Sequence, residues 1–405
     1  MARTITAEGW ALRKDFNPLS PIQVMAYLKA QRYRIPTERG TGKATTNDEG
    51  LNSLLTHHCP EDPVLPRVLR LRRLRKGLGY LSDKYLGVDQ RFHPIYTFLP
   101  KTGRLSAKAP NIMNVPKGRG SDIEREIAKA IRECFLPFPG HVLMEIDWRA
   151  IEALLVGFFA QDETYMRAAK LDIHSALGAM LVQEEGRLEG AIYDWNWPDQ
   201  ELEEYFAFFK KEYPADRFRA KKKNHAGNYG QGARSLARDL ECSFQEAKFL
   251  ADVCDKTWPK IPEWRHQTRL RAHYEGQLMN PFGYPLSFFE VYKKQQVGNG
   301  DERKWRLGKE ANECLAFQPQ STGAAMLREA LLYLIDNEEK FGYYVLAPIH
   351  DSALLSVPAD RVAEVAAFAA EFMTRPWEEL NHLSVDVEIQ IGPHLAAMET
   401  YELAA

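Results

Sequence analysis

Two apolar runs that meet an aspartate, far apart in the chain, constrain its fold more than any other feature. Residues 141–146 (His-Val-Leu-Met-Glu-Ile) follow Pro139-Gly140 and read as a buried strand closed by Asp147. Ile151, Leu154, Leu155, Phe158 and Phe159 then recur with helical period, so a helix begins just past the carboxylate. Residues 343–348 and 353–357 are two further apolar runs, separated by Ile349-His350-Asp351-Ser352. That pattern predicts a hairpin with Asp351 at its tight turn. If hairpin and strand are neighbours in one sheet, both carboxylates project from the same edge.

The remaining composition narrows the class. The 405 residues provide for two or three structural units at about 150 residues each. With 45% hydrophobic and 27% charged residues, whole-chain disorder, collagen and simple coiled coil are excluded. The 53 Lys+Arg against 55 Asp+Glu leave a net charge of −2, so only local charge can point to a polyanionic partner. Two basic clusters stand out: Arg67, Arg70, Arg72, Arg73, Arg75, Lys76, and Arg217, Arg219, Lys221, Lys222, Lys223. No run reaches the roughly 18 apolar residues of a membrane span, and the N-terminus has no signal-peptide core. The five cysteines are scattered without a CxxC and read as reduced thiols of an intracellular protein. His57-His58-Cys59 lacks a second ligand pair and reads as loop.

Helices are predicted over residues 20–31, 63–76, 216–230 and 360–371, with a Gly/Thr-rich loop over 37–48. Residues 182–212 are rich in acids and aromatics and read as an inserted, mostly helical excursion. The 63–76 helix is basic and amphipathic, suited to a solvated face or to a phosphate backbone. Arg217, Lys221, His225 and Tyr229 recur every fourth residue. At about 3.6 residues per turn each step drifts by about 40°, so the four share one stripe about 120° wide. Cations at one end of such a stripe suit a triphosphate; planar groups at the other suit a sugar and a base. Asp147 and Asp351, brought together, would suit a pair of Mg²⁺ ions about 3.5–4 Å apart, which take oxygen ligands and substrate phosphates.

Taken in order, these pieces resemble a known family. Thr102-Gly103-Arg104-Leu105-Ser106 precedes Pro110-Asn111-Ile112-Met113-Asn114-Val115-Pro116. Then come Asp147-Trp148-Arg149-Ala150-Ile151-Glu152, Asp172-Ile173-His174 and the Arg217, Lys221, His225, Tyr229-Gly230 series. Gln320-Ser321-Thr322-Gly323-Ala324-Ala325 and His350-Asp351 close the order. The chain is similar to the A-family DNA polymerases, the bacterial DNA polymerase I class, over roughly residues 16–400. Asn17-Pro18-x-Ser20-Pro21-x-Gln23 resembles the start of that family's thumb.

The resemblance implies an α+β right hand: thumb over 1–105, palm over 106–175 and 312–405, and fingers over 176–311 that hold the insertion. It implies a template-directed DNA polymerase of replication or repair, binding primer-template DNA and deoxynucleoside triphosphates with two Mg²⁺ ions. By position, Asp147, Asp351 and the Trp148 carbonyl match the metal ligands, and Glu152 matches the residue that excludes a ribose 2′-OH. Arg217 and Lys221 match the triphosphate pair, with Lys221 also the proton donor to pyrophosphate. His225 stands where the family stacks an aromatic on the nucleotide. Tyr229 matches the residue beside the templating base; Arg104, Gln320 and His350 match contacts to the primer end and minor groove.

The chain departs from the pattern at four places. Trp148-Arg149-Ala150 replaces Tyr-Ser-Gln, Leu154 replaces Arg, His225 replaces Phe or Tyr, and Ser352 replaces the Glu after the second Asp. The thumb-like start lies close to Met1, which implies a separate exonuclease or other replication proteins as partners, or a larger parent product. A cytoplasmic setting in a bacterium or phage-infected cell follows from the same likeness. Two alternatives remain open. A single-subunit RNA polymerase-like nucleotidyltransferase is opposed by Glu152, and a non-catalytic DNA-binding module would have no use for both aspartates with both cations.

Overall fold

The computed structural model describes residues 5–6, 9–10, 16–38, 42–98, 100–116, 118, 122–240, 242–296 and 303–403. The chain divides into two compact units, Met1–Pro94 with Ala109–Phe135, and Ile95–Lys108 with Leu136–Ala405. Each has its own apolar core.

In the first unit, strands β1 (Ile5–Thr6) and β2 (Gly9–Trp10) pair as a short ribbon. Helix α1 (Pro21–Ala30) starts as its sequence predicts, with the Ser20 side chain accepting from the Gln23 amide and Pro21 in the first turn. The Gln23 side chain in turn accepts from the Asn17 amide at 2.6 Å. Helix α2 (Asp48–His57) is capped by Asn47 and buries Leu51 and Leu54. His57 therefore closes a helix, and Cys59 is buried beyond it. The loop expected for that triplet holds for His58 and Cys59, while His57 is drawn into the last turn of the helix. Helix α3 (Leu65–Leu78) lies two residues later than expected. It buries Leu65, Val68 and Leu69 and exposes Arg67, Arg70, Arg73, Arg75 and Lys76. Arg72 instead donates to the Thr46 carbonyl and to Asp48. Arg73 reaches Glu124 at 3.4 Å on helix α4 (Asp122–Glu133).

Asp62 organises this unit. Its Oδ2 accepts from the Tyr27 and Tyr33 hydroxyls at 2.7 and 2.8 Å, and its Oδ1 from the Val64 and Leu65 amides at 2.9 and 2.7 Å. One buried carboxylate thus caps α3 and anchors α1. Burial pushes this carboxyl up, but the hydrogen bonds from Tyr27, Leu65, Tyr33 and Val64 outweigh it and hold it below the usual range.

The second unit is built on a five-stranded antiparallel sheet in the order β10-β11-β5-β12-β13. These strands are β5 (His141–Trp148), β10 (Tyr344–Ile349), β11 (Ser352–Pro358), β12 (Val387–Gly392) and β13 (Glu399–Thr400). The central strand runs two residues further than expected, so Asp147 lies inside it. Met144, Ile146 and Trp148 alternate onto a buried face, with Glu145 and Asp147 on the other. The Trp148 indole donates to the Met373 carbonyl at 2.9 Å at the end of α15 (Val362–Met373). A hairpin of β3 (Ile95–Thr97) and β4 (Ser106–Lys108) also belongs here.

Helices α5 (Ile151–Ala160), α6 (Glu163–Leu171) and α7 (Ile173–Glu184) follow the central strand. The region 182–212 is only half helical: α7 ends at Glu184 and α8 covers Asp199–Glu212. The intervening loop is held by Arg167, which donates to the Trp195 and Trp197 carbonyls and to Asp199. Tyr193, Leu202, Phe206 and Phe209 bury this excursion in the core. Helix α9 (Pro214–Asn228) stops before Gly230, whose φ of +71° breaks the helix expected to reach it. Next come α10 (Ala233–Asp239), α11 (Phe244–Thr257), α12 (Lys260–Glu275) and two ribbons, β6 (Gln277–Met279) with β7 (Pro285–Ser287), and β8 (Tyr292–Gln296) with β9 (Arg303–Leu307). The long α13 (Glu313–Asp336) and short α14 (Glu338–Phe341) lead back to the sheet.

Replacing Asp62 with Ala is expected to destabilise the protein by about 2–3 kcal/mol, because two hydroxyls and a helix start lose one acceptor. Because the folded carboxyl is held low, its contribution is full above the unfolded value of about 3.9 and fades as pH falls through the folded value. Urea denaturation of wild type and Asp62→Ala at neutral and acid pH measures both.

Candidate active site

Antiparallel pairing of β11 with β5 sets Ser352 opposite Asp147. Asp351 is the residue just before Ser352, in the two-residue turn that joins Ile349 to Ser352. His350, exposed, fills the other turn position with φ +58°. The two carboxylates expected to converge are therefore placed at one end of the sheet, Asp147 exposed in β5 and Asp351 half-buried in the turn that leads into the neighbouring β11. The Trp148 side chain is committed to the core, so only its backbone can join them.

Other residues gather around Asp351. Arg104, on the β3–β4 hairpin, reaches Asp351 at 3.7 Å, and its buried Nε has no hydrogen-bond partner among the described residues. Gly103 takes φ +69°, and its carbonyl accepts from Arg328 on α13 at 2.9 Å, which holds that loop. Burial pushes the Asp351 carboxyl up; Arg104 opposes this, nearby Glu152 adds to it, and His350 opposes it.

Glu152 sits in the first turn of α5, two residues after Ala150, a left-handed residue with φ +49° at the strand–helix junction. Its Oε1 accepts from the Tyr229 hydroxyl and, at 3.2 Å, from the Gln320 amide. Tyr229 lies just past the end of α9 and Gln320 lies on α13, so one carboxylate ties three elements. Burial, then the charge of Glu152, pushes the Tyr229 phenol well above its ordinary value.

The α9 stripe is only partly free. Arg217 makes a two-pronged pair with Asp172, Nε to Oδ2 at 2.9 Å and Nη2 to Oδ1 at 3.1 Å. Asp172 also caps α7, accepting from the His174 and Ser175 amides and the Ser175 hydroxyl. Lys221 is exposed one turn further on. The side chain of His225 lies outside the described residues. In the basic cluster, Lys223 is buried at 1% exposure, against the solvated face its neighbours suggest.

Two features were not expected from the sequence. The Ser352 hydroxyl lies 2.8 Å from Glu145 Oε1 and 2.9 Å from the Ile349 carbonyl, so it braces the turn that carries Asp351. Behind α9, Tyr165 donates to Asn228 at 2.9 Å and Arg265 to the Gly227 carbonyl at 2.8 Å. Asn224 and Asn228, four apart, were the available signal for that polar clamp.

The sequence profile of DNA polymerase family A matches residues 2–187 and 203–397. The chain belongs to DNA polymerase family A. The unmatched residues 188–202 fall within the acidic-aromatic excursion. The chain is 25% identical over 365 residues to the thermostable DNA polymerase I of Thermus aquaticus, covering 87% of this chain and 38% of that protein. It is 26% identical over 391 residues to DNA polymerase I of Deinococcus radiodurans, covering 94% and 36%. The chain thus spans little more than a third of these relatives' length. Its fold is that of the POL domain of Pol1 from M. smegmatis, solved in complex with DNA primer-template and dNTP, with a TM-score of 0.73 at 21% identity over 95% of this chain and 62% of that one. The right-handed polymerase architecture is therefore present.

Family-A polymerases work with divalent metal. Among the described residues no group of three or more His, Cys, Asp or Glu is arranged to hold an ion. Two carboxylates at one sheet end nevertheless fit a hard cation that completes its shell with water and substrate oxygens.

Replacing Asp172 with Ala is expected to cost about 2 kcal/mol, a lost N-cap plus a half-buried guanidinium left without its carboxylate. Burial pushes the Asp172 carboxyl up, but the Arg217 and Ser175 hydrogen bonds outweigh it and hold it low. Its contribution is thus full above about 3.9 and lost as pH falls through the lower folded value. Acid titration of stability should show a shallower limb in Asp172→Asn than in wild type.

Proposed function

We propose that this chain is a template-directed DNA polymerase that adds deoxynucleotides to a primer 3′ end. The observation that carries the reading is the β5–β11 register, which sets Asp351 one residue from the partner of Asp147. Asp147, Asp351 and the Trp148 carbonyl would hold two Mg²⁺ ions. When bound, the metal lowers the pKa of the primer hydroxyl and neutralises charge on the leaving pyrophosphate.

The chain's own residues supply position and charge. Lys221, exposed on α9, binds the triphosphate and gives a proton to the departing pyrophosphate. Arg217, held in plane by Asp172, offers its remaining donors to the same phosphates. Glu152, fixed by Tyr229 and Gln320, crowds the position a ribose 2′-OH would take. By its position in the family pattern His225 would stack on the incoming nucleotide, and Tyr229 would close the templating position. Arg104, with its buried unpaired Nε, and His350 and Gln320 face the primer terminus and the minor groove. Acceptors there are shared by all base pairs, so such contacts test pair shape and not sequence. The domain limits proposed are thumb 1–105, palm 106–175 and 312–405, and fingers 176–311. The setting is a bacterial or phage-infected cytoplasm.

Asp351→Ala should lower primer extension by about a hundred-fold or more, the scale of removing one preorganised charge from a transition state. Primer-template affinity should change little, because it rests on phosphate contacts. Quench-flow extension with parallel anisotropy binding tests this, and near wild-type extension would remove Asp351 from the metal site. Glu152→Ala should narrow the preference for deoxy- over ribonucleotides in single-nucleotide insertion. An unchanged ratio would take that role from Glu152, and a ribonucleotide preference in wild type would favour the RNA polymerase reading.

A further inference from the structure

The β8–β9 ribbon takes no part in the site described above. Its strands read Tyr-Lys-Lys-Gln-Gln and Arg-Lys-Trp-Arg-Leu, with no acid on either. The register pairs Tyr292 with Leu307, Lys293 with Arg306, and Lys294 with Trp305. Alternation therefore sorts the ribbon into two faces. Tyr292, Lys294, Trp305 and Leu307 share one, and Lys293 and Arg306 share the other. The aromatic face is not covered: Trp305 is 56% exposed and Leu307 49%. Lys294 lies 5.2 Å from the Trp305 ring centre. His273, on the last turn of α12, sets its ring edge-on to Tyr292 and Trp305, both at 5.4 Å. Tyr274 beside it is 79% exposed.

Exposed rings and cations on acid-free strands match what an unpaired polynucleotide needs, π-faces for bases and charge for phosphates. A duplex hides its base faces and could use only the cations. Location supports the same occupant. Arg265, Arg269 and His273 recur every fourth residue on α12. Arg265 donates to the Gly227 carbonyl, Arg269 donates to the Ala311 carbonyl and packs against Gly230, and His273 holds the ribbon. The stripe spans about 12 Å, so the ribbon lies about two helical turns from the turn that carries Tyr229.

We propose that the β8–β9 ribbon, with His273 and Tyr274, is a platform for single-stranded DNA, namely the unpaired template beyond the templating base. The proposal rests on the polymerase reading for the identity of the strand, and on the ribbon's own chemistry for the binding. Aromatic rings stack on two or so bases, and Lys294, on the same face as Trp305, meets the phosphate between them.

The test is fluorescence anisotropy on the full chain with chelator present. It compares a primer-template bearing a single-stranded template extension of about a dozen nucleotides with the same duplex bearing one. Trp305→Ala should weaken binding to the long extension by about five-fold or more and leave the short one unchanged, and Trp305→Phe should restore most of the loss. The variant Lys294→Ala, which removes no core side chain, should lower the salt slope on the long extension by about 0.7. Equal binding of wild type and both variants to the long extension would overturn the proposal and leave the patch to a protein partner. An equal loss on both substrates would overturn it too, as a general charge effect. Nucleotide insertion on the short substrate is read in parallel: if wild type fails there, the polymerase reading falls, while the platform is still judged on anisotropy alone.

Discussion

The register between β5 and β11 is the constraint on which the rest of the second unit depends. Side chains alternate across a sheet, so a slip of one residue would turn Asp147 to the packed face and bring Ile146 out. That slip is opposed from both sides. Met144, Ile146 and Trp148 are buried together, and the Trp148 indole is tied to the end of α15. Next to it, Arg375 lies between Phe372 and Trp377 at 3.8 and 3.7 Å, closing the layer beneath the strand. The exposed carboxylate is thus specified by apolar residues on the opposite face.

Glu152 is the second organiser, and it works through hydrogen bonds. A carboxylate has acceptor capacity only, so a donor from α9 and a donor from α13 can share one oxygen. The same charge raises the Tyr229 phenol and adds to the rise at Asp351, so a single substitution there would disturb three elements. Ser352 shows a related economy. Where the family places a carboxylate, this chain has a buried hydroxyl, and Glu145 on the adjacent strand receives its hydrogen bond. An acid is kept near the turn, but it is presented from β5.

The legible parts of this protein were those written as apolar period or as a spaced motif. The Asp147 strand, the Asp351 hairpin and the α9 stripe fall in that class, since burial and helical repeat leave a pattern in one dimension. What stayed hidden depends on pairing across long separations. Nothing near Arg217 announces Asp172 as its partner, and nothing near Ser352 announces Glu145. Helix α9 stops two residues short of Gly230 because that glycine takes a left-handed backbone, which the spacing of the stripe does not show. The β8–β9 ribbon left no such pattern because its strands are short and mostly polar, with no alternation of buried apolar residues.

At first sight the Arg217–Asp172 pair works against the proposed binding of a polyanion, since it would put a carboxylate beside the phosphates. The hydrogen-bond count resolves this. Asp172 receives two amides, a hydroxyl and the guanidinium, so most of its lone pairs are directed into the protein. Arg217 has five N–H donors and spends Nε and one Nη2 proton on this pair, which leaves three in a plane whose orientation is already set. A guanidinium fixed in advance loses less rotamer entropy on meeting a phosphate than a free one. The net positive charge then falls to Lys221, which is exposed and has no ion-pair partner among the described residues. Under the proposed function the two cations of the stripe would divide the work: one held for geometry, the other left for charge and for the proton.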